Sequence, residues 1–143
     1  MKLARERNRR GGFSLIELLV VLAILGLLAS FVGPRVMQFF SGAKSKTAKT
    51  QVESLATTLE AYALDNGRYP NSSEGLEALL QKPDGAPNWN GPYLAKNKLP
   101  KDPWGNDYQY RAPGEHGPFD IWSYGADNAE GGDGENQDVV SWE

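Results

Sequence analysis

The chain has 143 residues, a formal net charge of −3 at pH 7, no cysteine and one histidine. This composition argues against a disulfide framework, a zinc site and the usual Cys–His or Ser–His–Asp arrangements of nucleophilic enzymes. The acidic balance also argues against binding to nucleic acid, which requires clusters of Lys and Arg. The length allows one domain in addition to a membrane helix.

The first twelve residues, 1–12, form a basic leader. They hold five basic side chains against Glu6, a net charge of +4, which leaves about −7 for the rest of the chain. Basic residues in front of a membrane span keep that end of the span in the cytoplasm. We therefore expect the C-terminal part of the chain, residues 67–143, on the outer side of the inner membrane, in the periplasm if the cell is Gram-negative.

An almost unbroken apolar run extends from Phe13 to Val32, with Ser14, Glu17 and Ser30 as its only polar members. At about 1.5 Å per residue, a helix over this run is about 30 Å long, which matches the hydrocarbon core of a bilayer. In a membrane, a helix is the only single segment that pairs all of its backbone groups. We predict a transmembrane and assembly segment over residues 13–33.

Glu17 lies one turn inside this apolar run. An unpaired carboxylate there costs roughly 2.5–3.5 kcal/mol, and its own helix offers no cation after Arg10. Cleavage between Gly12 and Phe13 creates an α-amine at the depth of Glu17 in an adjacent, axially shifted copy. Two interpretations follow: a charge pair that guides head-to-tail stacking, or a plain signal anchor with an interfacial Glu.

The stretch from Arg9 to Glu17 resembles the leader of type IV pilins and pseudopilins: basic residues, Gly12, Phe13, and Glu at the fifth mature position. The resemblance implies cleavage after Gly12 by a prepilin peptidase and N-methylation of Phe13. It further implies assembly from an inner-membrane pool into a helical filament, with Phe13, Glu17 and Pro34 as assembly residues.

We predict that residues 13–33 and 34–66 together form one long helix, the stem. Its second part, residues 34–66, is amphipathic. Pro34 removes a backbone hydrogen bond, so the sequence predicts a kink or local melting there. Asn66-Gly67 is a helix stop, with Gly67 suited to a left-handed cap. Apolar residues at spacings of three and four predict a stripe packed on the rest of the domain. The stripe comprises Ala48, Val52, Leu55, Ala56, Leu59, Tyr62 and Ala63.

Residues 67–143 form the head. We predict a short helix at residues 73–80 capped by Ser72 or Ser73, followed by strands at 107–111, 119–123 and 138–142. So small an antiparallel sheet has to pack on the stem or be stapled. Helix first and strands after indicate an α+β fold.

Several sequence segments resemble the major pseudopilins of type II secretion. They are residues 65–70, 91–94, 102–110 and 123–132. The resemblance implies a type IV pilin-like fold and a homopolymer, the pseudopilus, that drives folded proteins across the outer membrane. Implied partners are minor pseudopilins, the prepilin peptidase and methyltransferase, and an inner-membrane assembly platform with its ATPase. Two alternatives remain: a pilin of a surface adhesion or motility fibre, and a membrane-anchored domain that forms no filament.

The acidic loop, residues 125–138, is crowded with carboxylates and glycines. Its spacing does not fit an EF-hand, so the residues alone favour a solvated acidic loop over a Ca²⁺ site. The resemblance implies one structural calcium ion in this loop. Asp127 and the carbonyl of Tyr124 are the ligands that it suggests best, and Asp133 and Asp138 follow.

No constellation in the chain indicates catalysis, so we expect a structural protein rather than an enzyme. No glycine-rich loop joins a strand to a helix to hold phosphate. The pairs Asp102 with Asp107 and Glu74 with Glu77 are interpreted as surface charges.

Overall fold

A computed structural model of the chain describes residues 11–143, and residues 1–10 of the predicted leader lie outside the described part. The chain divides into two compact units, with the boundary between Gln38 and Phe39. One helix, α1, runs from Leu15 to Asn66 and contributes residues to both units.

The first unit is the apolar part of α1. Its most apolar 18-residue window has a mean hydropathy of 2.8, and none of that window is buried. By length and composition this segment is able to cross a membrane, as predicted. All residues around Pro34 are helical, so local melting is wrong for the isolated chain, whereas a kink stays a prediction.

In the second unit, the remaining part of α1 supplies one wall of the core. Its buried residues follow the predicted spacing of three and four, and the helix ends at Asn66 before Gly67 at φ 72°. Phe39 and Phe40 are exposed. The buried stripe is Ala48, Val52, Leu55, Leu59 and Tyr62.

The predicted helix at residues 73–80 is shorter and of a different type. It is a 3-10 helix from Leu76 to Leu79, and neither Ser72 nor Ser73 caps it. Asn71 organises the preceding turn: its Oδ1 accepts from the Glu74 N–H at 2.8 Å, and Glu74 Oε2 accepts from the Asn71 N–H at 2.9 Å. This reciprocal exchange replaces the predicted serine cap because it satisfies both open N–H groups.

Three antiparallel strands form the sheet in the order β1-β2-β3: β1 at Gln109–Arg111, β2 at Asp120–Ser123 and β3 at Val139–Val140. They lie inside the predicted ranges but are shorter. Alternation along the strands divides the side chains between two faces. The inner face contributes Tyr108, Tyr110, Ile121 and Val139 to the core around the buried stripe of α1. The α+β prediction is therefore confirmed.

Candidate functional site

The N-terminal turn of α1 is closed by a reciprocal pair of side chains. Glu17 Oε2 accepts hydrogen bonds from the Ser14 N–H at 3.3 Å and the Ser14 hydroxyl at 3.4 Å, while Ser14 Oγ accepts from the Glu17 N–H at 3.2 Å. This is a capping box, which pairs N–H groups that a helix leaves open at its start. The S-x-x-E spacing carries that signal, and the sequence reasoning missed it.

The capping box gives the Glu17 carboxylate neutral donors but no counter-charge. Within residues 11–143 no basic side chain forms an ion pair with Glu17. A carboxylate in oil with only neutral donors still benefits from a cation. The chemistry of the turn is thus suited to receive an amine from another copy.

The predicted cleavage point is open to an approaching enzyme. The Phe13 side chain is 91% exposed, and a Cβ added at Gly11 or Gly12 meets no atom within 4 Å. Proteolysis requires an extended, accessible backbone, and α1 starts only at Leu15. The bond between Gly12 and Phe13 lies in exposed, non-helical backbone.

The acidic loop is folded back on itself by its backbone. The Ala126 N–H donates to the Glu135 carbonyl at 2.8 Å, which joins the two ends. At Gly125, φ is 70° and an added Cβ would lie 2.6 Å from the Glu135 carbonyl oxygen. At Gly132, φ is 93° and the added Cβ would lie 2.7 Å from the Asn136 carbonyl oxygen. Only glycine fits both positions, because a side chain at either would strike backbone.

The structure brings the predicted metal ligands into this loop without gathering their carboxylates. Asp127 Oδ1 accepts from the Ala129 N–H at 3.2 Å, and Asp133 is exposed in front of a 3-10 helix at Gly134–Asn136. No group of three or more His, Cys, Asp or Glu side chains able to hold a metal occurs among residues 11–143. Backbone carbonyls, such as that of Tyr124, would have to supply much of a calcium shell.

Asp138 is the predicted ligand that has a buried oxygen without a partner. Its Oδ2 accepts from the Gly131 N–H at 3.0 Å, whereas its Oδ1 is buried and has no hydrogen-bond partner. A buried oxygen without a partner costs free energy, about 1–3 kcal/mol, which a bound cation removes.

Two buried carboxylates were missed from the sequence. Asp102 is 4% exposed and Asp120 is 0% exposed, so the interpretation of Asp102 as a surface charge is wrong. Asp102 Oδ2 accepts from the Ser123 hydroxyl at 2.6 Å, and its Oδ1 accepts from the Asn106 N–H at 2.8 Å. The Ser123 donor lies 21 residues away in the chain, so no local pattern reveals the pairing.

Comparison with known proteins identifies the class of this molecule. A family model described as "Type II secretion system (T2SS), protein G" matches residues 35–142, and one described as "Prokaryotic N-terminal methylation motif" matches residues 7–33. The chain belongs to the type II secretion system protein G family. Members of this family are structural pseudopilins rather than enzymes, which confirms the expected absence of catalysis and the type IV pilin-like fold.

Relatives cover nearly the whole chain. The type II secretion system core protein G of Pseudomonas aeruginosa is 49% identical over 96% of this chain and 99% of its own length. That of Vibrio cholerae is 43% identical over 96% of this chain and 95% of its own length. The crystal structure of the major pseudopilin from the type 2 secretion system of enterohaemorrhagic Escherichia coli aligns with a TM-score of 0.64. That alignment has 35% identity and covers 76% of this chain and 95% of the other.

Family membership bears on the pilin alternative that the sequence left open. The relatives carry the name of a secretion component, so the secretion interpretation is favoured over a surface adhesion or motility pilin. The methylation-motif match over residues 7–33 agrees with the predicted leader and membrane-anchoring helix.

Proposed function

We propose that this chain is the major subunit of a type II secretion pseudopilus. It is inserted in the inner membrane, cut between Gly12 and Phe13, methylated on the Phe13 amine, and polymerised into a periplasmic filament. The filament drives folded proteins across the outer membrane. The observation that carries the proposal is the fully exposed apolar segment of α1, which contains Glu17 and is preceded by an exposed Phe13.

The exposed apolar surface of this segment has to be buried. An apolar segment with no buried residue in its most apolar window is stable only in lipid or against other apolar helices. Leaving the membrane for a filament is therefore possible only if identical segments cover one another. Pairing of the Phe13 amine with Glu17 of the next copy supplies the register, because it compensates the one charge in that surface.

The orientation and the partners follow from the same features. Positive residues in the leader favour a cytoplasmic N-terminus, which directs the head to the periplasm. The leader motif implies a prepilin peptidase and methyltransferase as the first partner. Minor pseudopilins, an assembly platform and its ATPase are the further partners of such a filament.

Mass spectrometry of the protein from its native host tests processing. We expect a mass that lacks Met1–Gly12 and carries one additional methyl group. An intact leader in secreting cells would contradict the proposal. Deletion of the gene should abolish secretion and leave surface fibres intact, whereas loss of fibres with normal secretion would favour the pilin alternative.

We further propose that the acidic loop binds one structural Ca²⁺. The support is the buried, unpartnered Oδ1 of Asp138, together with the backbone closure of the loop that also contains Asp127 and Asp133. Asp127, Asp138 and the Tyr124 carbonyl are the ligands that we propose first, followed by Asp133. A bound cation would offset the repulsion among the carboxylates of the loop.

A further inference from the structure

The outer face of the sheet carries a layer of side chains that neither proposed site uses. The strand register puts Arg111 of β1 opposite Asp120 of β2, and Trp122 opposite Val140 of β3. Side chains two residues apart on a strand share a face, so Arg111, Asp120 and Trp122 lie together on the side opposite to the core. Trp142, just after β3, joins this layer by its contact with the Trp122 ring, at 6.3 Å between centroids.

Asp120 is the centre of the layer. It is 0% exposed, and its Oδ2 accepts from Arg111 Nη2 at 2.6 Å and from the Glu115 N–H at 2.9 Å. Its Oδ1 accepts from the His116 N–H at 3.3 Å. Burial, the largest influence, raises the pKa of Asp120, but the bonds from Arg111, Glu115 and His116 outweigh it and hold the pKa below its usual range. The carboxylate is therefore ionised and fully engaged at neutral pH.

From Asp120, one line of contacts leads to the entrance of the acidic loop. The guanidinium of Arg111, held by Asp120, lies 5.2 Å from the centroid of the Trp122 ring. The Trp122 ring meets the edge of Tyr124 at 6.0 Å between centroids. Tyr124 immediately precedes Gly125, the first residue of the loop.

A second line of contacts leads to the exit of the same loop. The His116 ring, whose Nδ1 lies 3.3 Å from Asp120 Oδ2, stacks on Trp142 at 4.0 Å with an angle of 5° between the planes. Trp142 follows β3, which itself begins directly after Asp138. The connection between β1 and β2 is close-packed here, since a Cβ added at Gly114 would lie 2.6 Å from Asp120 Oδ1.

We propose that Asp120 is a positioning residue for the acidic loop. Its single carboxylate fixes Arg111 on Trp122 at the entrance and His116 on Trp142 at the exit. The spacing of the two loop ends then depends on a side chain that belongs to neither end. The expected effect of Asp120 on Ca²⁺ affinity rests on the proposed calcium site, whereas its effect on the order of the loop does not.

Hydrogen exchange of the full chain in detergent, without calcium, tests the positioning role. The variant Asp120→Asn keeps the shape but turns one acceptor into a donor that faces donors. We expect amide exchange in residues 125–142 to speed up about tenfold relative to the stem segment 52–62. Asp107→Asn is the matched control, because Asp107 is 74% exposed and pairs with Lys101 away from the layer. Equal acceleration in the loop and the stem, or none, would overturn the proposal.

A second pair of variants decides the question if Asp120→Asn does not fold. His116→Ala leaves the Arg111 pair of Asp120 in place and removes the ring stacked on Trp142. It should speed exchange at residues 139–142, whereas Trp142→Phe, which keeps an aromatic ring, should have a smaller effect. Exchange equal to that of the unmodified chain in both variants would contradict the proposal.

Calcium titration separates the two proposals. If the unmodified chain binds no Ca²⁺, the calcium site fails and the exchange comparison still decides the role of Asp120. If it binds Ca²⁺, Asp120→Asn should weaken the affinity about tenfold although Asp120 is not a ligand. Unchanged affinity together with unchanged loop exchange would overturn the positioning role alone.

Discussion

Lys49 of α1 holds the last strand of the sheet: its ammonium donates a hydrogen bond to the carbonyl oxygen of Val140 at 2.8 Å. The same ammonium donates to the carbonyl oxygen of Glu143. These residues are 91 and 94 positions from Lys49 in the chain, so one half-buried side chain ties residues 140–143 to the stem. This contact explains how a two-residue strand remains in place.

We predict that Lys49→Met loosens the C-terminal strand. Methionine keeps the aliphatic packing but removes a charged donor, which costs about 1.5–3 kcal/mol. The melting temperature of the head, followed by tryptophan fluorescence, should fall by several degrees. Lys46→Met, an exposed lysine on the same helix, should have little effect. Equal melting temperatures of the two variants would contradict this role.

Stability should decline in acid through Glu74. Arg68 donates to both carboxylate oxygens of Glu74 at 2.7 Å, and this pairing lowers the pKa of Glu74 below its ordinary value. The folded state therefore binds the proton less tightly than the unfolded state. The stabilisation is complete above the unfolded pKa of about 4.3 and is lost as the pH falls through the folded pKa.

The variant Glu74→Gln measures this contribution. It should melt at a lower temperature than the unmodified chain at pH 7, and the difference should shrink towards pH 3. Glu77→Gln, an exposed neighbour, should show no such convergence. A difference that is constant across this pH range would exclude the Glu74 pair as its source.

Calcium should raise the stability of the head. A ligand present at about 100 times its Kd adds about 2.7 kcal/mol to the free energy of unfolding. EDTA should lower the melting temperature, Ca²⁺ should restore it, and Asp138→Asn should remove most of the difference. Asp84→Asn, an exposed acid outside the loop, serves as control. No response of the unmodified chain to EDTA or Ca²⁺ would remove the calcium proposal.

Local patterns predicted the stem and missed the long-range pairs. The spacing of Val52, Leu55 and Leu59 and the stop at Gly67 were readable because they depend on neighbours in the same helix. The serine cap was wrong because the Ser72 hydroxyl donates instead to the Ala112 carbonyl, 40 residues away. Such a partner is visible only in the folded chain.

In the candidate site, too, local features were predicted and long-range contacts were missed. The leader motif and Glu17 were predicted from a short stretch, since their chemistry is local. The buried state of Asp120 was not, because its donors come from Arg111 of β1 and from the backbone of the β1–β2 connection at Glu115. Burial of a carboxylate depends on where tertiary structure puts its donors rather than on residue type.

Ser14 and Glu17 permit a separation of helix capping from filament assembly. If Glu17 serves only the capping box, Glu17→Gln should assemble normally, because glutamine keeps the reciprocal exchange, whereas Ser14→Ala breaks it. If Glu17 also pairs with the freed Phe13 amine of the next copy, only the loss of its charge should stop assembly. Glu17→Ala should behave as Glu17→Gln does.

The decisive measurement is the amount of sheared filament, relative to the membrane pool, in cells that express each variant. The account predicts that Glu17→Gln retains the membrane pool and forms no filament, whereas Ser14→Ala forms filament at near the unmodified level. Normal filament from Glu17→Gln, or equal loss in both variants, would contradict it.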